Sequence, residues 1–390
     1  MMRTTTRTRR AGLAAVAVAV ATTALTAAPA AHAAPSAPSA PGHRATQRAL
    51  DAEVAAGAVG VTAQAVDKYG VWQGTSGVGD RRTGTPRSPE DRYRIGSITK
   101  TFIATVLLQL EAEGRLSLDD TVDHWLPGVV RGHGHDGRRI TLRQVLDHAS
   151  GIYDVTSDPG FAKTAFTTDF LAHRYDTWTP GQLVAVAMRH QPDFAPGTSW
   201  KYSNTNYAIA GLVIQKATAR PYGDEIRDRI INPLHLHGTS APGTDPHMPR
   251  PSSRAYSKLS QDPDAQRVYD VTELNPSLAG PAGEIISDSA DLTRFYSALL
   301  GGRLLPKAQL NEMKTTVPEG PDKPDKSYGL ALMKVQLPCG TTVWGHSGGI
   351  HGSSSLAATT EDGRHTLALN FNSDWAGDTA KVLKAEFCDK

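Results

Sequence analysis

The chain has 390 residues, 41 of them basic, 39 acidic and two cysteine. A near-balance of charge with no basic stripe argues against a nucleic-acid binder. After residue 33 no run of about twenty apolar residues occurs, so nothing later is expected to span a membrane.

The first 33 residues read as an export signal. Arg3, Arg7, Arg9 and Arg10 form a basic start, Gly12 to Ala28 is rich in alanine and valine, and Ala31-His32-Ala33 has the small-residue cleavage pattern. Arg9-Arg10 leaves the export route, general or twin-arginine, open. Residues 34–44, rich in Ala, Pro and Ser, predict a disordered linker.

Ala45 to Ala56 has helical spacing. Val59 to Val66 alternates as a strand, and Val71 to Val78 pairs with it across Asp67-Lys68-Tyr69-Gly70. Ser97-Ile98-Thr99-Lys100 comes next. Phe102, Ile103, Val106, Leu107 and Leu110 follow at helical spacing, with Gly114 as a stop. An i, i+3 pair shares one helix face, so a hydroxyl and an amine can meet there. A serine becomes nucleophilic when a neighbour takes its proton, and a buried lysine can do so. A chain this long should still show about one Ser-x-x-Lys by chance.

Residues 116–274 predict helices and long polar loops. Thr141-Leu142-Arg143-Gln144 fits a capping box, and Pro180 to Arg189 and Ala208 to Ala217 are helical in period. His133-Gly134-His135-Asp136 invites a metal, but it lacks His-x-His-x-Asp spacing and sits in a Gly/Arg-rich loop. A surface loop and no metal is the expectation. His124, His173 and His190 are expected to be surface or structural.

Tyr202-Ser203-Asn204 leads into the apolar run Ala208 to Ile214. Alone it reads as a turn and helix cap. Leu292 to Leu300 predicts a helix, followed by strand-like runs at Tyr328–Leu337, Thr341–Gly345, Ser353–Thr360 and Thr366–Phe371, and a final helix at Thr379–Phe387. His346-Ser347-Gly348-Gly349 follows the third-from-last of these runs; alone it is a glycine-containing bend. Strands at both ends around a helical middle imply an antiparallel sheet built from the two chain ends, with a helical region inserted.

Serine with lysine, then Tyr-x-Asn, then His-Ser-Gly on a strand is a specific order. In this the chain resembles the active-site-serine penicillin-recognising enzymes. The tyrosine and histidine variants are similar to secreted actinomycete D-alanyl-D-alanine carboxypeptidases and class C β-lactamases. The likeness runs from about Val59 to Cys388 and takes in residues 140–152, 285–292 and Tyr328-Gly329-Leu330.

The resemblance implies an α/β (α+β) fold of the β-lactamase and DD-peptidase type: an antiparallel sheet of about five strands flanked by helices, plus an inserted, mainly helical region. Residues 45–390 would form the hydrolase, with a sheet lobe at about 45–96 and 275–390 and a helical lobe at about 97–274. It makes Ser97, Lys100, Tyr202 and His346 the catalytic set. Lys100 and Tyr202 would share the proton work, Tyr202 with a pKa depressed by cationic Lys100 or His346; which group is the base stays open. Asn204, Ser347, Gly348 and Gly349 would hold the substrate, with the N–H groups of Ser97 and Gly349 as oxyanion donors.

In an oxidising compartment a single cysteine pair is expected to be bonded, and relatives carry such a pair, which puts Cys339 and Cys388 in a disulfide. The carboxypeptidases bind a terminal carboxylate with an arginine where this chain has Met333, and carry a tryptophan where it has Leu278. The expected protein is therefore a secreted, monomeric serine hydrolase without a cofactor. Its partners would be peptidoglycan-type peptides or other D-amino-acid or β-lactam small molecules, with no nucleic acid and no membrane after signal removal. It would work most like a D-alanyl-D-alanine carboxypeptidase. A β-lactamase or esterase on the same scaffold is the enzymatic alternative, and a wall-binding or penicillin-binding module that acylates without turnover the non-enzymatic one.

Overall fold

The computed structural model describes residues 42–389, except 261, 263 and 321. The expected signal and most of the expected linker lie outside these residues. The linker does not reach residue 44: His43 is buried and stacked on Trp72, and Arg44 already opens a helix.

Nine strands form one antiparallel sheet: β1 (Gly60–Asp67), β2 (Gly70–Asp80), β3 (Thr85–Pro86), β4 (Val317–Pro318), β5 (Lys326–Tyr328), β6 (Met333–Gln336), β7 (Thr342–Ile350), β8 (Ser353–Thr360) and β9 (Thr366–Phe371). Their order is β4-β5-β6-β7-β8-β9-β1-β2-β3, so the first strand of the chain lies beside the last, with Val61 opposite Phe371. The expected strand Tyr328–Leu337 is instead the hairpin β5–β6. Gly329 N–H closes the turn on Leu332 O, and Ala331 takes a φ of +57° that ends strand pairing.

Period-2 alternation sends β9 residues to opposite faces. Leu367, Leu369 and Phe371 pack under helices α1 (Arg44–Ala55) and α5 (Thr379–Phe387), while Ala368 faces the larger core. That core centres on α2 (Thr99–Ala112), in which eleven residues are buried, and on α3 (Asn204–Thr218) and α4 (Ser289–Leu300). Phe102 of α2 stacks on Phe295 of α4 at 3.8 Å between ring centres. A helix buried all round cannot be amphipathic, and each large apolar side chain of α2 contributes about 1.5–3 kcal/mol by burial.

The capping box at Thr141 and Gln144 forms as expected. Residues 131–136 make a small hairpin at the surface, but His135 itself is buried against the expectation for that loop. Cys339, just before β7, is bonded to Cys388 at the end of α5. No helix of the described residues is long and apolar enough to cross a membrane.

Candidate active site

Ser97 sits in the short 3₁₀ turn Gly96–Ile98 that feeds α2, rather than in the α-helix itself. β7 presses directly against that turn. A Cβ on Gly348 would stand 1.9 Å from Ile95 O, and Gly96, at φ +53°, would place one 2.8 Å from Gly349 N. Only glycine lets the two backbones meet this closely.

Lys100 is the second residue of α2, one turn beyond Ser97, and is wholly buried. Its Nζ donates to Ser97 Oγ at 2.9 Å, Asn204 Oδ1 at 2.8 Å and Ala282 O at 2.7 Å. Burial lowers its pKa to about 7, with Asp154 acting against the shift. Near neutral pH much of it is therefore free amine, with a lone pair available for the Ser97 proton.

Tyr202 lies against Lys100, its ring centre 4.9 Å from Nζ, and against His148, with ring centres 4.3 Å apart. Its hydroxyl is buried and makes no hydrogen bond of ordinary geometry. Burial raises its pKa well above the usual phenol value; an interaction with Ser97 opposes the rise without cancelling it. His346 Nδ1 lies 2.5 Å from Ser347 O and Nε2 lies 2.9 Å from Tyr328 Oη. A carbonyl only accepts, so Nδ1 carries the proton and Nε2 accepts from Tyr328. Burial pushes this imidazole down to about 3, so it is neutral. The expected depression of Tyr202 by cationic neighbours thus fails: His346 carries no charge, and desolvation, aided by Asp154 and Glu319, outweighs the interaction with Ser97.

Two cavities meet at Ser97 and Gly349. One, about 190 Å³, has a mostly apolar wall that includes Phe161, Phe166, Leu183, Leu278 and Ile350. The other, about 330 Å³, is walled by Trp200, Tyr202, Glu319, Lys323, Met333 and His346. Ser347, half-buried on β7, places its Oγ 3.8 Å from Met333 Sδ. Leu278 and Met333 therefore face the site from opposite sides. All eight expected catalytic and substrate-binding residues converge here.

A family model described as beta-lactamase matches residues 44–384. The chain belongs to the beta-lactamase family. It is 32% identical over 222 residues to penicillin-binding protein 4 of Amycolatopsis lactamdurans and 27% identical over 239 to the putative penicillin-binding protein PbpX of Bacillus subtilis. The matched part is 54% of each of those proteins, so the chain spans about half their length. Among solved structures, a D-stereospecific amidohydrolase from Streptomyces sp. is 62% identical, with TM-score 0.86, over 90% of this chain and 100% of that one. The D-amino acid amidase of Ochrobactrum anthropi SV3 is 29% identical, with TM-score 0.75, over 87% and 97%.

The chain is a serine hydrolase of the beta-lactamase and penicillin-binding superfamily, and its candidate site also gathers residues that no local sequence pattern singled out. Tyr328 was visible only as part of a familial segment, yet its hydroxyl donates to Nε2 of His346, whose tautomer the Ser347 carbonyl sets. His148, at φ +66°, accepts from Ser203 N–H and Asn206 and walls Tyr202. Asp154, buried between Tyr153 and Val155, binds the Asn204 amide nitrogen through both carboxylate oxygens at 3.3 Å. A lone acid in a loop gives no periodic or motif signal by which to find it.

Proposed function

We propose that this protein is an exported D-stereospecific hydrolase of amides and peptides whose acyl-enzyme forms on Ser97. Neutral Lys100 takes the Ser97 proton as Oγ bonds to the substrate carbonyl carbon. The N–H groups of Ser97 and Gly349 hold the oxyanion, each such donor being worth about 3–4 kcal/mol of barrier. The bond to the leaving nitrogen then breaks, Tyr202 giving that nitrogen its phenolic proton and recovering it from Lys100. Water attacks the ester by the reverse proton path.

The observation that carries this reading is the lining of the two cavities at Ser97. The apolar one, with no charged wall, suits the side chain of an apolar D-residue. The other has Met333 where a carboxylate-binding arginine would stand, so a leaving group needs no free carboxylate. The likeness to a D-stereospecific amidohydrolase over nearly the whole chain supports the same choice. A D-alanyl-D-alanine carboxypeptidase is the second reading, favoured by Lys323 on that wall, although its ammonium is held by Glu319 at 3.5 Å.

The test is kcat/KM on D-phenylalanine amide, its L-enantiomer, a D-Ala-D-Ala peptide as acid and as amide, and a cephalosporin. The D-amide is expected to exceed the L-amide at least a hundredfold, with little preference for the acid over the amide. A strong preference for the free acid would restore the carboxypeptidase, and fast cephalosporin turnover would make it a β-lactamase. Export is checked by N-terminal sequencing of protein from the medium, expected to begin after Ala33.

A further inference from the structure

The loop at residues 153–156 is fastened to the start of α3 more tightly than a helix cap requires. Asp154 accepts from the backbone N–H of Asn204 at 3.0 Å and from its side-chain Nδ2 through both oxygens. Thr156 Oγ1 donates to the same carboxylate at 2.6 Å. Tyr153 O accepts from Thr205 Oγ1 at 2.8 Å, and Thr205 Oγ1 in turn accepts from Val155 N–H at 2.9 Å. An amide has one donor end and one acceptor end. With Nδ2 bound to a carboxylate, Asn204 has no choice but to present Oδ1 to Lys100.

We propose that Asp154 is a positioning residue that locks the Asn204 amide and so aims the Lys100 amine at Ser97. The proposal rests on the reading of Ser97 and Lys100 as nucleophile and base. Lys100 Nζ is anchored on two sides, by Asn204 Oδ1 and Ala282 O, and its third direction points at Ser97 Oγ. If Asn204 flipped, its NH₂ would face the amine, and that direction would be lost.

The same carboxylate also acts through space. The titratable groups packed about Lys100 are Tyr202 and Tyr207, both phenols held neutral by burial, and His148 and His346, both held neutral in the same way. Among the described residues, Asp154 is the one anion acting on Lys100, and it favours the ammonium. Removing that charge makes the amine easier to deprotonate, so the rise of activity with pH moves to lower pH.

Asp154→Asn and Asp154→Glu separate this role from a cap. In Asp154→Asn, which can still accept from the Asn204 N–H, kcat is expected to fall at least tenfold with KM within about threefold, and the acid limb of kcat/KM to move to lower pH. In Asp154→Glu, which keeps the charge but misplaces it, kcat falls and the limb stays where it is. A pH profile unchanged in Asp154→Asn, with only Tm lowered, overturns the proposal, as does full activity in Asp154→Glu. The second variant decides the matter if the first does not fold. Loss of covalent penicillin labelling in Ser97→Ala, measured separately, shows whether the underlying reading holds, so the two failures are distinguishable.

Discussion

At the scale of single residues, the proposed chemistry depends on a lysine made unlike a lysine by its surroundings. Lys100 is buried, and although Asp154 favours its charged form, its pKa falls to about 7. The base must be neutral to work, so kcat/KM is expected to climb with pH through about 7 and to level off above about 8. Tyr202 is held well above its usual value, so its deprotonation brings no loss up to pH 9. A profile of kcat/KM from pH 5 to 10 checks both limbs. A flat profile across pH 6–8, or a limb near 10, would remove Lys100 as the base. The motif residues were legible from their order alone, because the spacing of serine, lysine, tyrosine and histidine is itself chemical information. The protonation states were not, since they arise from desolvation that no local sequence pattern expresses.

At the scale of elements, the site is a contact between one turn and one strand. Gly348→Ala would put a methyl on Ile95 O, and backbone cannot step aside as a side chain can. Activity is expected to fall more than a hundredfold, with Tm lowered by several degrees, as read by single-turnover acylation and thermal unfolding. β6 carries the specificity prediction. Met333 pairs with Gly345 and faces the cavity beside Ser347. Met333→Arg is expected to raise kcat/KM on a free-acid D-Ala-D-Ala peptide about tenfold to a hundredfold over its amide, since each charge-assisted hydrogen bond contributes about 1.5–3 kcal/mol. If wild type already prefers the acid and the arginine adds nothing, another group binds the carboxylate. The strands β8 and β9 and the helix α5 match their expected spans because regular periods and caps define them. The turn that splits β5 from β6 was hidden, because Leu330, Ala331 and Leu332 are as apolar as the strands around them.

At the scale of the whole molecule, the disulfide ties the last helix to the sheet at the β6–β7 turn, the opposite end of β7 from Gly348. Cys339 and Cys388 close a loop of 49 residues, worth about 4 kcal/mol in the chain-entropy account. The double variant Cys339→Ser/Cys388→Ser is expected to lose roughly 5–10 °C in Tm and to keep kcat within about twofold. Unchanged Tm on reduction would mean that the bond constrains nothing. The element order foretold a sheet made from both chain ends, and it is so made. The edge strands β3 and β4, and β5 next to β4, two or three residues each, carry too little pattern to have been read.

The pairing of Val61 with Phe371 fixes when this enzyme can first exist. The helix that follows Ser97 can form early, from local contacts, but the strand that completes the proposed oxyanion site lies some 250 residues further along the chain. Sheet closure between such distant partners is slow compared with helix formation. During synthesis the nucleophile is therefore present long before it is armed, and the growing chain is chemically silent. A serine that could attack acyl groups while the chain is unfinished is in this way kept inert by topology.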